Sequence, residues 1–69
     1  MPQFKAHRQF NGVPVALIPY GQVFEGDQIV YQEMTLTITH KMPKTFRARA
    51  KDGFESTIQV SGPLEVYLD

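Results

Sequence analysis

Thr45-Phe46-Arg47-Ala48-Arg49-Ala50-Lys51-Asp52-Gly53-Phe54-Glu55-Ser56-Thr57-Ile58-Gln59 decides the fold. Apolar and polar side chains alternate on both sides of Lys51-Asp52-Gly53, the period of a half-buried strand, and Asp-Gly marks a turn between two such runs. Loop length then sets which residues oppose each other, because a slip of one residue sends a whole apolar set to water. A two-residue loop of Asp52-Gly53 would oppose Ala48 to Thr57 and Phe46 to Gln59, leaving Ile58 among the arginines. A three-residue loop with Gly53 in the left-handed conformation, a G1 bulge, instead pairs Ala50 with Phe54, Ala48 with Ser56 and Phe46 with Ile58. The opposite face then pairs Arg49 with Glu55, Arg47 with Thr57 and Thr45 with Gln59. This second register keeps the apolar residues together, and it assigns both Phe46 and Phe54 to the core.

The same parity extends upstream. Met34-Thr35-Leu36-Thr37-Ile38-Thr39-His40 alternates, and Leu36 and Ile38 must share the face of Phe46, which requires an odd connection. Three residues, Lys41-Met42-Pro43, oppose Ile38 to Phe46; five residues shift the pairs by two and keep the faces. In both cases Thr35, Thr37 and Thr39 fall beside Arg47 and Arg49, and His40 takes the parity of Leu36. Three successive strands thereby present one face of threonines and arginines, bordered by Glu55 and Gln59.

Farther out, Asn11-Gly12 reads as a two-residue type I′ turn that opposes Phe10 to Val13, Arg8 to Val15, Ala6 to Leu17 and Phe4 to Pro19. That face is expected to be mostly core. Its reverse, with Lys5, His7, Gln9, Pro14, Ala16 and Ile18, is expected to be partly solvated, and Pro14, which has no amide to donate, should look onto an open edge. Residues 22–31 hold two short apolar segments hinged at Gly26-Asp27. The C-terminal run Leu64-Glu65-Val66-Tyr67-Leu68 alternates once more, and its apolar face needs a covering, so it is the expected edge for a second subunit.

These runs and turns predict an all-β chain with one domain over residues 1–69. The expected architecture is a small antiparallel β-barrel or sandwich, SH3-like, of six or seven short strands, with a β-roll completed by another chain as the alternative. No helix is expected. A chain of 69 residues hides only about 60% of its unfolded surface. It has no cysteine and therefore no disulfide or thiolate metal staple, which makes association with a further copy or another protein the expected source of added stability. Seven basic and seven acidic residues cancel, which argues against wholesale capture by nucleic acid or anionic lipid. The longest apolar run, Val15-Ala16-Leu17-Ile18, is far short of the roughly 18 residues of a membrane span. The N-terminus carries no basic-then-apolar signal, so a cytoplasmic location without membrane contact is expected.

Catalytic side chains are few: the serines are Ser56 and Ser61, the histidines His7 and His40. Strand periodicity sets His7 between Lys5 and Gln9 with no carboxylate beside it, and His40 reads as a capping or half-buried residue. No triad assembles, no cofactor is implied, and the chain is expected not to be an enzyme. Metal-assisted chemistry at His7 and His40 is the residual enzymatic reading. The acidic residues Glu25, Asp27 and Glu33 read as turn-forming and solvated.

The sharper feature is basic. Lys41, Lys44, Arg47, Arg49 and Lys51 are five of the seven cationic residues, and Arg47, Arg49 and Lys51 recur every second position, roughly 6.5 to 7 Å apart by strand rise, near the spacing of nucleic-acid phosphates. The reading is a non-catalytic interaction module that self-associates or docks on another protein through Thr35, Thr37, Thr39, Arg47 and Arg49, with Lys44 and Lys51 alongside. The alternative is a small barrel that binds single-stranded nucleic acid, for which Tyr31 and Tyr67 are the surface rings expected to stack on bases. Chain length alone also suits a bacteriophage accessory or virion component.

Overall fold

Gly53 stands at a φ of +91°, its amide donates to the Ala50 carbonyl at 2.9 Å, and the Ala50 amide donates to the Phe54 carbonyl at 2.8 Å. These bonds close the three-residue loop in a computed structural model that describes residues 4–68. Seven strands follow the chain: β1 (Arg8–Phe10), β2 (Val13–Ile18), β3 (Gln28–Tyr31), β4 (Met34–Lys41), β5 (Thr45–Ala50), β6 (Glu55–Gln59) and β7 (Leu64–Tyr67), with one 3₁₀ turn at Tyr20–Gln22. They form a single antiparallel sheet in the order β1-β2-β7-β3-β4-β5-β6. The all-β expectation stands, and the sheet is not closed: among the described residues β1 and β6 each have a neighbour on one side only. The one-domain expectation over 1–69 extends at both ends beyond the described residues.

β5 and β6 pair as the loop chemistry requires, with Thr45 opposite Gln59, Phe46 opposite Ile58, Arg47 opposite Thr57, Ala48 opposite Ser56 and Arg49 opposite Glu55. Between β4 and β5, Leu36 lies opposite Ala50 and Ile38 opposite Ala48, but the register shifts between Ile38 and His40, so that His40 opposes Arg47 and Lys41 opposes Phe46. The Met42 amide donates to the Thr45 carbonyl at 3.0 Å, which leaves only Pro43 and Lys44 to make the turn. An even turn would reverse parity; the β-bulge at Thr39 adds one residue and restores it. His40 accordingly is exposed and does not follow Leu36 and Ile38 inward.

The core gathers Ala16 and Ile18 of β2, Val23, Ile29 of β3, Leu36 and Ile38 of β4, Phe46 and Ala48 of β5, Ile58 of β6 and Val66 of β7. Five inter-strand spacings separate β2 from β6, about 24 Å if the sheet were flat, so their meeting in one cluster requires the sheet to curl around its apolar face. Tyr20 braces that curl: its ring centroid lies 6.0 Å from that of Phe46, and its single O–H donor is shared between the carbonyls of Met42 and, at 2.8 Å, Thr45.

Four expectations are corrected. The Asn11-Gly12 turn forms, with φ of +52° and +80°, and pairs Arg8 with Val15 and Phe10 with Val13, but β1 stops at Arg8 and the pairs Ala6–Leu17 and Phe4–Pro19 do not form. The His7 amide turns to the Val15 carbonyl at 2.9 Å instead. Ala16 and Ile18 are the β2 residues that join the main core, opposing Val66 and Leu64 of β7; of the face expected to be mostly core, Val15 is fully buried but Leu17 is 50% exposed. β2 is not an edge at Pro14, whose carbonyl receives the Leu68 amide at 2.9 Å. Finally, β7 is no free edge for a second subunit: it pairs with β2 on one side and β3 on the other.

Candidate functional site: a threonine–arginine face with a groove

Alternation along β3, β4, β5 and β7 directs Gln28, Thr35, Thr37, Arg49 and Tyr67 to the face opposite the core. Gln28 opposes Thr37, and Thr37 opposes Arg49, so three strands contribute one polar rung. The hydroxyls of Thr35 and Tyr67 lie 2.5 Å apart, which ties β4 to β7 across the intervening β3. Two adjoining depressions share Gln28, Thr35, Ala50 and Lys51. One runs to Thr37, Thr39 and Arg49, and the other to Val13, Met34 and Tyr67. The groove therefore has Arg49 at one end, and at the other a mixed lining in which Val13, the half-exposed Met34 and the Tyr67 ring stand beside Asn11 and Asp52.

Glu55 organises the arginine end. Its carboxylate lies 3.7 Å from Arg49 Nη2 and 3.9 Å from Arg47 Nη1, and accepts a hydrogen bond from Thr39 Oγ1 at 2.8 Å. Both arginine distances exceed hydrogen-bond length. One carboxylate thus sits between two guanidinium groups without engaging their donors closely, and the arginine side chains remain 51% and 58% exposed.

The structure does not bring all the expected residues together. Thr35, Thr37, Thr39, Arg49 and Lys51 line the groove and Arg47 flanks it, but Lys44 stands in the β4–β5 turn, at the far end of β5 from Lys51. Lys41 is taken elsewhere, its ammonium 4.8 Å from the Tyr20 ring centroid and 5.5 Å from that of Phe24. Nor are the exposed rings those expected. Tyr31 packs against the core and Tyr67 is half-buried, whereas Phe24 and Phe54 are exposed, Phe54 by 69%. Phe54 keeps the parity of the core, but β6 is the last strand and nothing among the described residues covers it.

A second charged cluster was not anticipated. Arg8 donates to both carboxylate oxygens of Glu65, through Nε at 2.7 Å and Nη2 at 2.8 Å, and through Nη2 to Glu33 at 3.3 Å. His7 Nε2 donates to Glu65 at 2.6 Å, which corrects the expectation that His7 has no carboxylate beside it. The Arg8 guanidinium, with help from His7, holds the Glu65 carboxyl below the usual carboxylate range, while Glu65 and Glu33 raise the Arg8 pKa further. Beneath them Val15, whose cross-strand neighbours are Arg8 and Tyr67, is fully buried, a use of the arginine stem as cover. The two histidines stand apart, His7 bonded to Glu65 and His40 exposed on β4 opposite Arg47. Of the hinge acids, Asp27 closes the turn by accepting from the Phe24 amide at 2.9 Å, whereas Glu25 reaches the end of β4 and accepts from the Lys41 amide at 3.0 Å.

No protein-family model matches this chain, and no curated protein or solved structure matches it.

Proposed function

We propose that the chain is a non-catalytic interaction module, built as a small and partly open β-barrel, that docks another protein through Thr37, Thr39, Arg47 and Arg49. The observation that carries this reading is the pair of exposed arginines whose shared carboxylate, Glu55, lies at 3.7 and 3.9 Å. A guanidinium fork binds carboxylates through two parallel bonds, and these two forks keep most of their donors available. The half-exposed Met34 and the Tyr67 ring at the other end of the groove add a place for an apolar side chain. A protein segment that carries carboxylates beside one apolar residue fits both ends.

The test is an amide-resolved NMR titration with a peptide of alternating glutamate and leucine, run beside a single-stranded oligonucleotide. Shifts at Thr37, Thr39, Arg49 and Met34 with the peptide, abolished in an Arg47→Ala, Arg49→Ala variant, support the proposal. Preferential binding of the oligonucleotide, falling linearly in log salt, would replace it with the nucleic-acid reading. Silence toward both ligands rejects the face as a docking surface.

A further inference from the structure

We infer that β6 pairs with β6 of a second copy of this chain, antiparallel and centred on Thr57, in one continuous sheet. The hydrogen bonds at the two ends of β6 set its phase. Ala50 donates to Phe54 at 2.8 Å and Val60 to Lys44 at 3.0 Å, so Phe54, Ser56, Ile58 and Val60 direct their backbone groups toward β5. Glu55, Thr57 and Gln59 direct theirs outward, where the described residues supply no neighbour. The strand carries few of the usual protections of an edge: it contains no proline, lysine or bulge, and its one charge is Glu55 at its start.

Register follows from chemistry. Centring a two-fold pair on Glu55 opposes two carboxylates, and centring it on Gln59 runs the strands into the Gly62-Pro63 turn. Thr57 at the centre opposes Thr57 to Thr57 and Glu55 to neutral Gln59, and gives the outward groups of all three residues partners, six bonds in total by the alternation of an antiparallel ladder. The same register brings Phe54 of each copy opposite Val60 of the other, on the core side of the sheet. It thereby covers the 69%-exposed ring whose parity is that of the core but which has no strand beyond it. The other edge offers no such match. In β1 the pairing of Phe10 with Val13 closes a two-residue turn, so only Gln9 points its backbone outward.

Sedimentation velocity over a range of concentrations tests this. The wild-type chain is expected to pass reversibly from one-chain to two-chain mass. Thr57→Pro removes an outward amide without touching a bond to β5, and Thr57→Lys opposes two cations; both are expected to stay at one-chain mass. Phe54→Ser is expected to raise the dissociation constant by about tenfold or more. Should Thr57→Pro fail to fold, Thr57→Lys, at an exposed position, decides the matter. A wild-type chain that remains at one-chain mass, open-ended polymers, or variants that associate like wild type would each overturn the inference. Arg47→Ala, Arg49→Ala is expected to keep the two-chain mass, so this result and that of the docking face are independent.

Discussion

Arg8 grips both carboxylate oxygens of Glu65, at 2.7 and 2.8 Å, across 57 positions of sequence. The bond joins β1 to β7 over the intervening β2, so it fastens the N-terminal hairpin to a strand that arrives last in the chain. Because the folded-state pKa of Glu65 lies below its ordinary value near 4.5, the stability it contributes is fully present above that pH and is lost as pH falls through the lowered value. Glu65→Gln should therefore be less stable than wild type at neutral pH and should lose less stability below about pH 4.5. Urea midpoints measured from neutral to acid pH check this, and parallel acid limbs for the two proteins would show that the pair does not couple to folding.

Phe46 on β5 and Phe54, just before β6, carry the same parity and sit in opposite environments, one fully buried and the other exposed. Phe46→Ala should cost about 3 to 5 kcal/mol, comparable with the whole stability of so small a domain. Ile38→Val, also in the core, should cost about 0.5 to 1.5 kcal/mol. Phe54→Ala, melted in protein dilute enough to be a single chain, should stay within about 0.5 kcal/mol of wild type. Thermal melts of the three variants rank them, and a Phe54→Ala loss as large as that of Ile38→Val would mean that the ring is covered within one chain.

That contrast shows what alternation can and cannot reveal. The β5–β6 hairpin was readable because Asp52-Gly53 and the twelve alternating residues around the loop constrain each other locally, and the shared face of threonines and arginines followed from the same parity, although the three-residue Lys41-Met42-Pro43 loop would have set Thr37 against Arg47 and not Arg49. Parity names a face but not its cover, so Phe54 read as core although the sheet ends beside it. The bulge at Thr39 left no trace, since Thr39, His40 and Lys41 are all polar and an extra residue breaks no apolar pattern. The position of β7 between β2 and β3 rests on contacts far apart in sequence, and with it went the Arg8–Glu65 pair, the true core face of β2 and the tie between Thr35 and Tyr67.

β7 supplies Val66 to the core and pairs on both sides, through Val15 to Ile18 of β2 and through Ile29 and Val30 of β3. Removing residues 64–69 would detach the β1–β2 hairpin from the rest of the sheet and open the core along its length. The truncated chain is expected to show no cooperative melt by circular dichroism. A cooperative transition would instead mean that β3 to β6 fold as a unit without the hairpin.

Gln32 and Glu33 form the turn between β3 and β4 with φ of +50° and +62°, values at which any residue with a Cβ is crowded. Two left-handed residues in a two-residue turn make type I′, the geometry that matches the twist of the strands and that Asn-Gly adopts most easily. Glu33 contributes a hydrogen bond to Arg8 at 3.3 Å from a side chain that is 73% exposed, an interaction of small worth. Exchanging the pair for Asn-Gly, Gln32→Asn with Glu33→Gly, should therefore relieve more strain than it loses in contact and stabilise the chain by about 1 kcal/mol. The gain should appear as a higher urea midpoint with an unchanged slope, because the surface exposed on unfolding stays the same. A lower midpoint would show that the Arg8–Glu33 contact outweighs the backbone strain, which would make the β3–β4 turn part of the charged clamp around Glu65.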